Sequence, residues 1–243
     1  VNNQETVIYA LSYAGGSSMS YVGWDFPEGY RFCPLDYRGH GLRQNESPDH
    51  TVFEMAADMA EQIDCHLSEH GNPDFAVFGH SMGGMTAWYT FRLLKEKYLR
   101  RPKCLFISGV ADPKVFPARC GEIGSEEKVW EYLESTGRIP ERVLHSQVFR
   151  RYFLPVILHD FRLMGKFRCM EKEEPVEEPI CAFAGRQDEL FSPEEVGQWE
   201  LYTLNQFTME VLEGSHFFLN EEENRKRMIL RMRDMLREID AEK

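Results

Sequence analysis

The sequence predicts an α/β fold, a mostly parallel sheet flanked on both faces by helices. Three observations carry that reading. Short continuous apolar runs recur along the chain and read as buried strands. Segments with apolar residues at helical spacing lie between them. The length of 243 residues and the hydrophobic fraction of 42% suit one domain, residues 1–243, with a sizeable core.

Taken in order, the strand-like runs are "TVIYALSY" (6–13), "YRFCPLD" (30–36), "DFAVFGH" (74–80), "KCLFISGV" (103–110), "ICAFAG" (180–185) and "FTMEVLEG" (207–214). Between the second and third, Val52, Met55, Ala56, Met59, Ile63 and Leu67 repeat at helical spacing, with Glu54, Asp58, Glu61 and Asp64 on other faces. Residues 82–98 and 220–239 also read as helices. The latter is heavily charged, with Met228, Ile229, Met232, Leu236 and Ile239 as its apolar stripe. Residues 113–175 interrupt the alternation: they show no strand pattern, yet Trp130, Phe149, Tyr152, Phe153, Ile157 and Phe161 crowd there. An insertion of that size in a compact domain carries function or its own structure. It reads as an inserted helical lid, against the alternative of a helical subdomain packed only for stability.

Composition narrows the function. A net charge of −12 argues against a nucleic-acid binder and against an anionic membrane surface. No stretch approaches the apolar length of a transmembrane helix. Six scattered cysteines without a C-x-x-C pair fit reduced thiols, and the amino terminus lacks the basic region of a signal peptide. A cytoplasmic enzyme is the expectation.

The chemistry centres on "GHSMG", residues 79–83, which matches G-x-S-x-G. A nucleophilic serine on a sharp strand-to-helix turn needs small neighbours two residues either side. "FAVF" before it reads as the strand and "MTAWYTFRLLKEKY" after it as the helix, so Ser81 is the candidate nucleophile; a purely structural turn is the alternative. A serine hydroxyl needs a base, and the base an orienting acid, in the chain order serine, acid, histidine. Of the later histidines, His145 and His159 fall inside the helical insertion, whereas His216 follows the last strand and is the candidate base. The acid is open between Asp188, just beyond "ICAFAG", and Asp112, just beyond the preceding strand; Glu189 adjoins the first, and a capping or turn role is the alternative for Asp188. The oxyanion would take one donor from the N–H of Met82 and another from the loop "SYAGGSS", residues 12–18, which lacks the lysine and spacing of a phosphate-binding loop.

Together these segments resemble a type II thioesterase, the free-standing α/β-hydrolase enzyme of polyketide and nonribosomal peptide synthesis, related to the medium-chain fatty-acyl thioesterase. The resemblance spans nearly the whole chain. It rests on "YAGGSS", the looser "CPLDYRGHGLRQNESP", the close match "GHSMGGMTAW", "AGRQDELFSPEEVGQW" and "LEGSHFFL", where Ser215 stands for a glycine. It implies the α/β-hydrolase fold, Ser81, Asp188 and His216 as nucleophile, acid and base, and the N–H groups of Ala14 and Met82 as the oxyanion hole. It also implies hydrolysis of acyl thioesters on the phosphopantetheine arm of an acyl or peptidyl carrier protein, with no metal or cofactor needed; a monomer is the expectation. Rival readings are a carboxylesterase or acyltransferase with the same residues, and a non-catalytic binding protein on the same fold. Carrier proteins are commonly acidic, so docking would need a basic patch. Arg150 and Arg151 in the insertion are preferred over "KEKYLRRPK" (95–103).

Overall fold

The computed structural model describes residues 5–123, 125–136, 139–170 and 173–242. Strands β1 (Thr6–Leu11), β2 (Tyr30–Pro34), β3 (Phe75–His80), β4 (Leu105–Ser108), β5 (Ile180–Gly185) and β6 (Phe207–Leu212) form one sheet in the order β2-β1-β3-β4-β5-β6. Every neighbouring pair is parallel. All six strand-like runs of the sequence are strands here, each trimmed by a residue or more except "ICAFAG".

The continuous apolar runs are explained by cores on both faces. In β1, Val7, Tyr9 and Leu11 enter one core, while Ile8 and Ala10 enter the other. Helices α1 (Val52–Glu69) and α2 (Met82–Glu96) cover the first face. Thr51 starts α1 by accepting the Glu54 N–H, satisfying one amide that the helix leaves open. The apolar stripe read from the sequence, Val52 to Leu67, is buried along it. On the other face lies the carboxyl-terminal helix, Glu222–Ala241, through Met228, Ile229, Met232, Met235 and Leu236. Its register begins two residues later than the sequence pattern suggested, because Phe218–Asn220 forms a short 3-10 turn first.

Between β4 and β5 the chain forms α3 (Phe116–Gly121), α4 (Glu126–Ser135), α5 (Glu141–Leu144), a π-helical turn (Phe149–Phe153) and α6 (Leu154–Lys166). One isolated bridge, Val176 to Thr203, is the only strand-like pairing in that connection among the described residues. Within the predicted insertion, Gly124, Gly137, Arg138, Glu171 and Lys172 lie outside the described residues. The inner sides of these helices carry Phe116, Val129, Phe149, Leu158 and Phe161 into the first core.

Candidate active site

Because all strands are parallel, their carboxyl ends share one edge, and the following loops meet there. Ser81 stands between β3 and α2 with φ 57° and ψ −122°, a region L-residues rarely occupy. Its N–H donates to the Ser108 carbonyl at 2.8 Å, which anchors the turn to β4. Gly79 and Gly83 are demanded by contact. A Cβ on Gly79 would lie 2.0 Å from the Gly83 oxygen, and one on Gly83 would lie 2.2 Å from the Leu11 oxygen. Backbone closes in from both sides, so only hydrogen fits.

The loop after β6 brings in His216. Its Nε2 lies 2.9 Å from Ser81 Oγ, and its Nδ1 lies 2.9 Å from Asp188 Oδ2. All three side chains are buried. The other oxygen of Asp188 accepts the N–H groups of Leu190 at 2.9 Å and Phe191 at 3.2 Å. The carboxylate is therefore both a turn residue and the partner of His216. Helix α7 (Pro193–Gly197) is capped by Ser192 and Glu195 instead. Asp112 is engaged elsewhere, accepting the Tyr202 hydroxyl and the Lys114 N–H, each at 2.9 Å. Glu189 lines a small cleft beside His216. His159 donates to the Asp49 carbonyl, and His145 sits half-exposed near Glu134.

Met82 is the first residue of α2, where a helix has no intrahelical acceptor for its N–H. Ala14 lies in a turn closed by the Gly16 N–H on the Tyr13 carbonyl at 2.8 Å. A cavity of about 680 Å³ opens on Tyr13, Ala14 and Ser215, within the range of small-molecule sites. Its apolar wall takes Leu133, Ile139, Phe149, Phe153 and Ile157 from the connection between β4 and β5, and Phe217 from the loop after β6. Ser81 and His216 are not in that wall; the cleft at His216 shares Thr136 and Ser215 with it.

Two residues to which the sequence assigned no role also reach this edge. Asp160 on α6 is fully buried, and its Oδ2 accepts the Gly15 N–H at 2.7 Å and lies 2.9 Å from His40 Nε2. His40 Nδ1 lies 3.0 Å from the Arg38 carbonyl. Burial opposes the charged imidazole of His40, but the hydrogen bond and charge of Asp160, the Arg38 carbonyl and the Asp36 charge outweigh it and leave its pKa raised.

The family model described as "Thioesterase domain" matches residues 6–236. The chain belongs to the thioesterase-domain family. It is 29% identical to the gramicidin S biosynthesis protein GrsT of Aneurinibacillus migulanus, over 88% of this chain and 83% of that one. The solved structure of the RedJ thioesterase of prodiginine biosynthesis in Streptomyces coelicolor superposes with a TM-score of 0.82. It is 28% identical and covers 95% of this chain and 85% of its own. The type II thioesterase BorB of the borrelidin cluster gives a TM-score of 0.79 at 26% identity, over 96% and 93%. This thioesterase therefore has the α/β-hydrolase fold, and its likeness to type II thioesterases runs nearly end to end. Among the described residues, no helix is long and apolar enough to cross a membrane.

The basic residues of the thioesterase divide. In 95–103, Lys95 pairs with Glu178, Arg100 with Asp64, and Lys103 with Asp74 and Asp240. Lys103 also donates its N–H to the Phe75 carbonyl, which places it at the amino ends of the strands, away from Ser81. Arg150 lies over the Trp130 ring and shares a groove with Glu126, Glu127 and Glu131, while Arg151 lies over Tyr152.

Proposed function

We propose that this thioesterase hydrolyses acyl groups from the phosphopantetheine arm of a carrier protein through Ser81, His216 and Asp188. The observation that carries the reading is the unbroken hydrogen-bonded chain from Asp188 through His216 to Ser81, at 2.9 Å per link. His216 Nε2 takes the Ser81 proton as Oγ attacks the thioester carbon. The oxyanion is held by the N–H groups of Met82 and Ala14. Asp188 keeps the proton on Nδ1, so Nε2 is free to act as base, and it balances the imidazolium. Collapse expels the pantetheine thiol, which takes the proton back from His216. Water then repeats the sequence on the acyl-serine and releases a carboxylic acid. No step calls for a metal or cofactor.

Helices α3 to α6 act as a lid over this edge, residues 113–175. Their apolar wall suits an acyl chain, and Ser215 and Asn220 suit the amide-bearing arm. The carrier partner is supported by relatives such as GrsT, named for gramicidin S biosynthesis, and the RedJ thioesterase of the prodiginine biosynthetic pathway. Arg151 and Arg150 beside the exposed Val148, Tyr152 and Phe153 offer the docking surface. Action as a monomer is part of the same reading.

The test is Ser81→Ala, which is expected to abolish turnover while folding normally. Mass spectrometry of the wild type with a poor substrate is expected to find the acyl group on the peptide holding Ser81. Finding it on Cys33 or Cys104 instead would overturn the assignment.

A further inference from the structure

The loop that carries Ala14 is held by a helix more than a hundred residues away. Asp160 of α6 accepts the Gly15 N–H at 2.7 Å, and Ile157 one turn earlier presses on the same glycine. A Cβ on Gly15, whose φ is +73°, would lie 2.3 Å from Ile157 Cγ1. Ala14, Gly15 and Ile157 also face the cavity of about 680 Å³. The peptide plane between Ala14 and Gly15 is thereby fixed at its Gly15 end, and the Ala14 N–H is set by the same short turn.

We infer that Asp160 is a positioning residue for hydrolysis: its carboxylate orients the 13–16 turn so that the Ala14 N–H meets the oxyanion, with His40 as counter-charge. This rests on the assignment of Ala14 to the oxyanion hole. The carboxylate is placed where a bare negative charge would oppose the oxyanion. His40 answers that problem. Both of its ring nitrogens face acceptors only, Asp160 Oδ2 and the Arg38 carbonyl, so both contacts become hydrogen bonds when the ring carries two protons. The pair is then neutral, and the acceptor holds Gly15 without a net charge beside the reaction. Asp160 Oδ1 is buried with no hydrogen-bond partner, so Oδ2 alone makes the connection. Helix α6 thus both lines the cavity through Ile157 and holds the oxyanion loop through Asp160.

The test compares Asp160→Ala, Asp160→Asn and Asp160→Glu on an acyl-pantetheine substrate, with an alkyl trifluoromethyl ketone as the tetrahedral-adduct probe. Asp160→Ala is expected to lower kcat about 10- to 100-fold, less than the roughly 10²- to 10³-fold of losing a donor outright, with KM little changed. The inhibition constant of the ketone should weaken in parallel, since its adduct uses the same donors. Asp160→Asn keeps an acceptor at the Oδ2 position and is expected to recover kcat to within about fivefold of wild type. Asp160→Glu keeps the charge but displaces the acceptor by one methylene. It is expected to behave like the alanine variant, and decides the matter if that variant does not fold. A lowered Tm with kcat and ketone inhibition unchanged would overturn the inference and leave Asp160 as a packing residue. So would Asn as damaging as Ala, or an effect on KM alone. Turnover by Ser81→Ala at the wild-type rate would instead overturn the proposed serine mechanism to which the oxyanion hole belongs, and the two failures are read from different variants.

Discussion

Asp188 and Asp112 are the same residue type in equivalent places, each a few positions beyond the end of a strand. Their partners separate them: Asp188 faces His216, and Asp112 faces the Tyr202 hydroxyl. In the proposed mechanism Asp188→Asn favours the wrong imidazole tautomer and is expected to lower kcat by about 10⁴. Asp112→Ala strands a buried hydroxyl, so it is expected to cost about 1–3 kcal/mol of stability while leaving kcat within a few fold. Paired steady-state kinetics and denaturant unfolding check both, and the reverse ranking would move the acid to Asp112. His40 gives a pH-dependent outcome. Its folded pKa is raised above the ordinary 6.5, so its contribution to stability is complete below 6.5 and is lost as pH rises through the raised value. The Tm difference between wild type and His40→Gln is therefore expected to be largest in acid and to shrink with increasing pH. A difference that stays constant from acid to alkaline pH would contradict the charged pairing with Asp160.

The elements that hold the site differ in how firmly they are held themselves. Strand β3 is hydrogen-bonded on both sides, to β1 and β4, and runs straight into the turn at Ser81 and then into α2. Every residue of β3 is buried, and α2 is buried along most of its length. By contrast α4 and α5 are short, and each buries only one or two side chains. Local opening follows such differences in burial and in backbone exposure to water. Amide hydrogen exchange is expected to be much faster in α4 and α5 than in β3, and to slow there when an acyl phosphonate occupies Ser81. Equal protection in all three, unchanged by the phosphonate, would mean a rigid packed subdomain and no moving lid.

As a whole, the molecule is acidic, at −12, and an acidic carrier would meet it with little long-range attraction. Recognition then depends on local features of one face. In the basic run at 95–103, Lys95, Arg100 and Lys103 are paired with carboxylates at the opposite end of the sheet, whereas Arg150 and Arg151 stand beside exposed apolar side chains near the cavity. The glutamates around Arg150 weaken its share, so Arg151 is expected to contribute more. A carrier-bound acyl group is expected to show a higher kcat/KM than the same group on a pantetheine mimic. Arg150→Glu combined with Arg151→Glu is expected to remove most of that advantage and spare the mimic. Equal rates for both substrates, unaltered in the double variant, would favour a general acyl hydrolase.

The six strands were legible because each is a short continuous apolar run, and burial on both faces of a parallel sheet writes that run directly into the chain. Ser81 was legible for a local reason as well: its turn needs glycines at fixed offsets, where backbone at Gly83 and Leu11 leaves no space for a Cβ. His216 followed from chain order and from its place after the last strand. The acid was not settled by pattern, since Asp112 and Asp188 stand alike in sequence and differ only in what the folded loops bring near. Asp160 left no signal, and His40 stood inside "CPLDYRGHGLRQNESP" with nothing to show what it meets. They meet across 120 positions, on a helix and a loop whose local sequences give no sign of each other. Periodicity and short motifs report on neighbours along the chain; a buried carboxylate shared by a distant amide and a distant imidazole exists only once the helix after the π turn has packed across the sheet edge.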